Sequence, residues 1–167
     1  AFIGAMKNHM RALHMSALQT AMNELSNHDH SRFLTRTNKK VGRVSSLGPE
    51  AASQDVNPAV MREAVAIQMT WPGAPTVYYG DEVGQCGFTD PDNRRGYPWG
   101  REDRDLILFH RDIIRIHREN EVLKRGSIMF LHGAHKVVAY GRFDRNDKII
   151  VILNNNYEEV QLNLAVD

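Results

Sequence analysis

The change of apolar period near Asn120 constrains this chain more than any other feature of its sequence. Before it, apolar residues recur at helical spacing, and short β-branched segments separate the helices. Met6, Met10, Leu13, Ala17 and Leu18 predict a helix over 4–19. Val60, Ala64, Ile67 and Met69 predict one over 58–70, and Leu106, Phe109, Ile113 and Ile116 one over 102–117. Segments 20–26 and 75–79 read as short strands. After Asn120 the period is two, predicting strands at 127–132, 136–143, 148–154 and 159–164, with turns at Gly133-Ala134 and Asp144–Asp147. Sequential β–α units followed by antiparallel strands make an α/β fold followed by all-β, the tail being β-sandwich-like. The boundary falls near 120–126, giving one domain over 1–120 and a second over 121–167.

Local signals sharpen parts of this outline. Asn57 is a good N-cap with Pro58 at the first helical position, and Trp71-Pro72-Gly73 stops the same helix. Residues 37–57 and 83–100 lack periodicity and read as loops, and loops that long are commonly functional or mobile.

Composition excludes several classes. With 42% hydrophobic and 25% charged residues the chain reads as soluble and globular. A net charge of +1 without a basic stripe argues against nucleic acid. No apolar run approaches the roughly 18 residues of a membrane span. The single Cys86 excludes an intramolecular disulfide and favours a reducing, cytoplasmic compartment; it reads as a small loop residue. Ala1-Phe2-Ile3-Gly4 lacks a basic region and a cleavage site, so no signal peptide is read. The absence of an initial Met suggests a processed start or an internal fragment.

Ser26-Asn27-His28-Asp29-His30-Ser31-Arg32 follows the strand at 20–26 directly. An imidazole, a carboxylate and a guanidinium leaving a strand end together are typical of barrel active sites. His28 and His30 share one side of an extended backbone and Asp29 takes the other, so a metal is one reading. No H-E-x-x-H pairing supplies a further ligand. A solvated loop is the plainer alternative. A second constellation runs through Gly73-Ala74-Pro75-Thr76-Val77-Tyr78-Tyr79-Gly80-Asp81-Glu82, then Asp90-Pro91-Asp92-Asn93-Arg94 and Tyr97-Pro98-Trp99. Aromatic rings cover the C–H face of a sugar, while carboxylate and guanidinium bind its hydroxyls.

In this order the motifs resemble the alpha-amylase superfamily, glycoside hydrolase family 13, over about residues 2–164. The N-H-D at 27–29 with Arg32 and the run at 73–82 are the most specific elements. D-P-D-N-R at 90–94 points to its neopullulanase, cyclomaltodextrinase and alpha-glucosidase side. The resemblance implies that 20–26 and 75–79 are the last two strands of a (β/α)8 barrel. The helices at 58–70 and 102–117 then follow them, and the tail starts a C-terminal antiparallel β-sandwich domain.

The resemblance further implies that Asp29 is the aspartate stabilising the transition state, that His28 binds the same sugar, and that Asp90 and Arg94 hold the next glucose. Arg32 either touches sugar or pairs with a nearby carboxylate. Tyr79, Tyr97 and Trp99 either stack on sugar or pack. Asp81 and Glu82 are expected to brace the strand end, and His110 and His117 to lie at the surface or boundary. No metal site is assigned and no cofactor is implied, although calcium occurs in the superfamily.

A retaining glycosidase also needs a nucleophile and an acid/base carboxylate about 5–5.5 Å apart. In this superfamily they come from strands four and five; the nucleophile's Gly-x-Arg-x-Asp motif is absent here, and so is the D-x-x-x-N-H motif of strand three. Gly141-Arg142-Phe143-Asp144 has the wrong spacing, and Asp144 reads as a turn residue. The expectation is therefore the C-terminal fragment of a retaining glycosidase acting on alpha-glucans, inactive alone. Its partners would be the missing N-terminal portion and the glucan, and unpaired barrel strands would favour self-association. A non-catalytic carbohydrate-binding module and a metal-dependent hydrolase are the alternatives.

Overall fold

A computed structural model describes residues 2–165. The elements are α1 (Phe2–Arg11), α2 (Met15–Thr20), β1 (Met22–Glu24), α3 (Phe33–Arg36), α4 (Val44–Leu47), α5 (Pro58–Thr70), β2 (Ala74–Thr76), α6 (Arg104–Glu119), α7 (Glu121–Arg125), β3 (Ser127–Ala134), β4 (Val137–Phe143) and β5 (Lys148–Asn154). β1 and β2 form a two-stranded sheet, and β3-β4-β5 a three-stranded one. Among the described residues no helix is long and apolar enough to cross a membrane.

The fold separates into two compact units. One is drawn from the chain up to Met22, from Met69–Ala74 and from Ile116 onward. Its centre is Trp71, 3% exposed, with Phe130 and Tyr140 at ring-centroid distances of 5.7 and 5.2 Å. Buried Val122, Leu123, Val137 and Ala139 complete this core. β4 is the central strand and is antiparallel to both neighbours. Its Arg142 is wholly buried and donates to the carbonyls of Thr70 (2.6 Å), Gly126 (2.9 Å) and Ser127 (3.3 Å). Tyr140 Oη lies 2.5 Å from Thr70 Oγ1. Burial pushes the Tyr140 phenol up to about 12 and the Arg142 guanidinium down to about 10.

The other unit comprises Asn23–Gln68 and Pro75–Arg115. Leu34, Met61, Val65, Val83, Phe88 and Leu106 form its core. α5 starts as its sequence predicts: Asn57 Oδ1 accepts the N–H groups of Ala59 (3.0 Å) and Val60 (3.2 Å). Gln68 Nε2 donates to the carbonyls of Asn23 (3.1 Å) and Thr76 (2.7 Å), so the end of this helix segment satisfies both β1 and β2.

Several expectations are corrected. The helix predicted over 4–19 is two helices, because His14 adopts extended backbone (φ −66°, ψ 146°). Only Leu18 of its predicted stripe is buried. In α5 the fully buried residues are Met61 and Val65, with Gln68 and Met69 nearly so; Val60, Ala64 and Ile67 are half-buried. The buried face is therefore turned by about one residue from the predicted one.

The segment 37–57 is not featureless. It holds α4 and a 3-10 turn at Glu50–Ala52, fastened by Asn38 Nδ2 to the carbonyls of Ala51 (3.1 Å) and Gln54 (3.0 Å). The β3–β4 turn is His135-Lys136, both with positive φ (49° and 60°), rather than Gly133-Ala134. Gly133 stays in the strand, opposite Val138, and the Ile3 side chain packs against its Cα, where a Cβ would stand. Segment 159–164 carries no strand, although its apolar residues alternate: a strand exists only where its backbone groups find a neighbour. His110, expected near the surface, is 3% exposed, with Nδ1 2.9 Å from the Leu106 carbonyl.

Candidate active site

Asn27 starts the local geometry of the 26–32 loop. Its Oδ1 accepts the N–H groups of Asp29 (2.9 Å) and His30 (3.1 Å), an Asx-type turn. Its Nδ2 donates to Glu24 Oε1 (2.6 Å) at the end of β1. Phe33 N donates to Ser26 Oγ (2.9 Å), which closes the loop from its other end. The loop therefore turns His28 and Asp29 outward. Their side chains are 65% and 67% exposed, and His28 Nε2 is 3.4 Å from Asp29 Oδ1. Both are free to meet a ligand. Among the described residues no group of three or more His, Cys, Asp or Glu could hold a metal ion.

Beneath them lies a buried guanidinium. Arg32 is 0% exposed, so its side chain faces the protein rather than solvent. Its Nη1 donates to the Tyr79 carbonyl (2.5 Å) and to Asp81 Oδ1 (3.1 Å), and its Nε donates to the Asn93 carbonyl (2.8 Å). The cation lies 4.1 Å from the ring centroid of Tyr78 and 4.8 Å from that of Tyr79. Burial raises the Asp81 carboxyl above its ordinary range, against the hydrogen bond from Ser26 and the charge of Arg32. Burial likewise pushes the Cys86 thiol up, which leaves it a poor nucleophile.

The 80–95 segment is shaped by close backbone approaches. Gly80 has φ +88°, and the Gln85 carboxamide occupies the space a Cβ would take. Gln85 Nε2 and Tyr79 Oη both donate to the Arg95 carbonyl (2.7 and 3.0 Å). Arg95 grips both oxygens of Asp92 (3.0 and 2.9 Å), and Asp92 Oδ2 accepts Phe88 N (2.7 Å). The Asp90–Pro91 peptide is cis. On this frame Arg94 Nε meets Asp90 Oδ1 at 2.6 Å, and the two side chains remain 48% and 52% exposed. The rings of Tyr97 and Trp99 lie 4.4 Å apart, tilted by 46°, with Trp99 79% exposed. Tyr79 is 41% exposed.

The two loops meet through Asn93, a residue without an assigned role in the sequence reading. Its Nδ2 donates to the carbonyls of Asn27 (3.0 Å) and His30 (2.9 Å). The structure thus joins the segment of Asp90 and Arg94 to the loop of His28 and Asp29. It sets Arg32 and Asp81 below them as a brace, and leaves Trp99 on the surface.

The alpha-amylase catalytic-domain family matches residues 1–129. The chain belongs to that family. An amylopullulanase of Thermoanaerobacter thermohydrosulfuricus is 41% identical over 129 residues, 77% of this chain and 9% of that protein. A cyclomaltodextrinase of Thermoanaerobacter pseudethanolicus is 37% identical over 149 residues, 87% of this chain and 23% of that protein. A solved cyclomaltodextrinase superposes with a TM-score of 0.74 at 30% identity, covering 89% of this chain and 23% of its own. The chain therefore spans less than a quarter of these relatives. In the alpha-amylase fold, β1–α5 and β2–α6 are the last two units of the (β/α)8 barrel, and the β3–β5 sheet begins the antiparallel C-terminal domain.

Proposed function

We propose that this chain is the C-terminal part of a retaining glycoside hydrolase acting on alpha-glucans, with Asp29 as its transition-state-stabilising carboxylate. One observation carries the reading. Asp29 and His28 stand exposed and side by side on a loop whose backbone is fastened at Asn27 and His30, and the same fastening residue adjoins Arg94. The names of its alpha-amylase relatives, amylopullulanase and cyclomaltodextrinase, agree with a glucan substrate.

The chemistry follows from the charges. A glycosidic bond breaks through an oxocarbenium-like transition state, in which positive charge grows at the anomeric carbon. Asp29 accepts hydrogen bonds from the sugar hydroxyls, and these strengthen as the ring flattens and becomes cationic. His28 bonds the same sugar. Interactions that tighten in the transition state raise kcat rather than affinity alone. Asp90 and Arg94, an acceptor beside a planar donor, hold the next glucose and keep the scissile bond in register. The nucleophile and the acid/base carboxylate belong to the preceding portion of the enzyme, which is this chain's structural partner.

The test is Asp29→Asn in the full-length protein. Turnover of a maltooligosaccharide or cyclodextrin is expected to fall about a hundredfold or more, with folding retained. Wild-type turnover in that variant overturns the reading. Glucan binding without any hydrolysis by the full-length protein would instead identify a carbohydrate-binding module.

A further inference from the structure

Asn93 is wholly buried, and both N–H bonds of its carboxamide end on carbonyls of the opposite loop, those of Asn27 and His30. These two residues are the immediate neighbours of the His28–Asp29 pair on either side. Turning the amide over would set its oxygen against two carbonyl oxygens, so these partners fix its orientation. Asn93 is itself held from behind, because its own carbonyl accepts Arg32 Nε at 2.8 Å. It lies in the 3-10 turn Asp92–Arg94, next to Arg94 and three residues from Asp90. A single side chain thus ties the backbone carrying one pair of proposed sugar ligands to the backbone carrying the other.

We propose that Asn93 is a positioning residue that holds the Asp29 carboxylate in register with the Asp90–Arg94 pair. This rests on the role of Asp29 and His28 proposed above. His28 and Asp29 are two-thirds exposed, so packing does little to fix where they point. Their position comes from the backbone beneath them, and Asn93 bonds that backbone on both sides. Loss of the amide frees the loop to shift, and a displacement of about 1 Å can cost about a hundredfold in rate.

The test uses the full-length protein, with kcat and KM measured on a maltooligosaccharide. Asn93→Ala is compared alone and in an Asp29→Asn background, at a temperature where circular dichroism shows every variant folded. Alone, Asn93→Ala is expected to lower kcat about 10–100-fold with KM within about threefold. Added to Asp29→Asn it is expected to cost less than about threefold more, because both changes remove the same interaction. Asn93→Asp keeps the volume but turns an oxygen onto both carbonyls; it gives the same pattern and replaces Asn93→Ala should that variant not fold.

A wild-type kcat, a loss confined to KM, or an equal loss with and without Asp29 overturns the positioning role and leaves that of Asp29 standing. Wild-type kcat in Asp29→Asn itself overturns the reading of Asp29, and this inference with it.

Discussion

Arg32 Nη1 lies 3.1 Å from Asp81 Oδ1, and their side chains are 0% and 5% exposed. Removing one member of such a pair leaves a buried charge uncompensated, at a cost of about 3–5 kcal/mol. Arg32→Met also takes a donor from the carbonyls of Tyr79 and Asn93. Urea or thermal unfolding of the full-length protein is expected to show that loss. Asp81→Asn is expected to cost less than Arg32→Met, because burial already disfavours the Asp81 charge. Equal stability of Arg32→Met and wild type would contradict the brace.

The Asp90–Arg94 pair is shorter, at 2.6 Å, but half exposed. An ion pair in that setting contributes less than about 1 kcal/mol to stability. Its replacement therefore separates function from folding. Arg94→Ala in the full-length protein is expected to raise KM for a maltooligosaccharide about tenfold, with an unfolding midpoint close to wild type. An unchanged KM would remove the pair from the sugar site.

Tyr140 gives a dependence on pH with a definite sign. Its phenol is held protonated up to about 12, against an ordinary 10 in the unfolded chain. The folded state then binds the proton more tightly. Its stabilising contribution is complete below about pH 10 and declines as pH rises towards 12. Arg142, lowered to about 10 by burial, has the opposite slope, because the cost of its buried charge disappears as pH rises. Comparison with Tyr140→Phe isolates the first effect. The stability difference between wild type and Tyr140→Phe is expected to shrink between pH 10 and 12. A difference constant over that range would sink the assignment.

The chain by itself presents a two-stranded barrel sheet and a three-stranded sheet with Met129, Ile150 and Ile152 at 50%, 38% and 53% exposure. Two strands cannot close a barrel, and unpaired edges recruit other chains. Light scattering of the isolated 167-residue chain is expected to give a mass above 19.0 kDa, and glucan hydrolysis is expected to be absent. A monodisperse monomer, or turnover by a verified 167-residue species, would contradict these two expectations in turn.

How much was legible in the sequence differs by element. α5 could be read almost to the residue, because an Asn cap, a Pro behind it and a Trp-Pro-Gly stop all act within a few positions. The Asp144 turn was equally plain, and its carboxylate accepts the N–H groups of Asn146 and Asp147 (2.8 and 2.9 Å). The break at His14 was not legible, since neither Pro nor Gly marks it. The hairpin turn at His135-Lys136 was concealed by Gly133, a residue used for close packing rather than for turning.

The same division runs through the site. Sequence alone determined the helix at 58–70, the long helix after residue 102, the change of period near 120 with the three strands that follow it, and the grouping of His28 with Asp29 and of Asp90 with Arg94. Caps, periods and short motifs are interactions among near neighbours, and neighbours are written in the chain. Only the tertiary structure decided that Arg32 is a buried brace and that Asn93 fastens the two loops. Asn93 finds its acceptors 66 and 63 residues away, and nothing local to an asparagine says which distant carbonyls will lie within 3 Å of it.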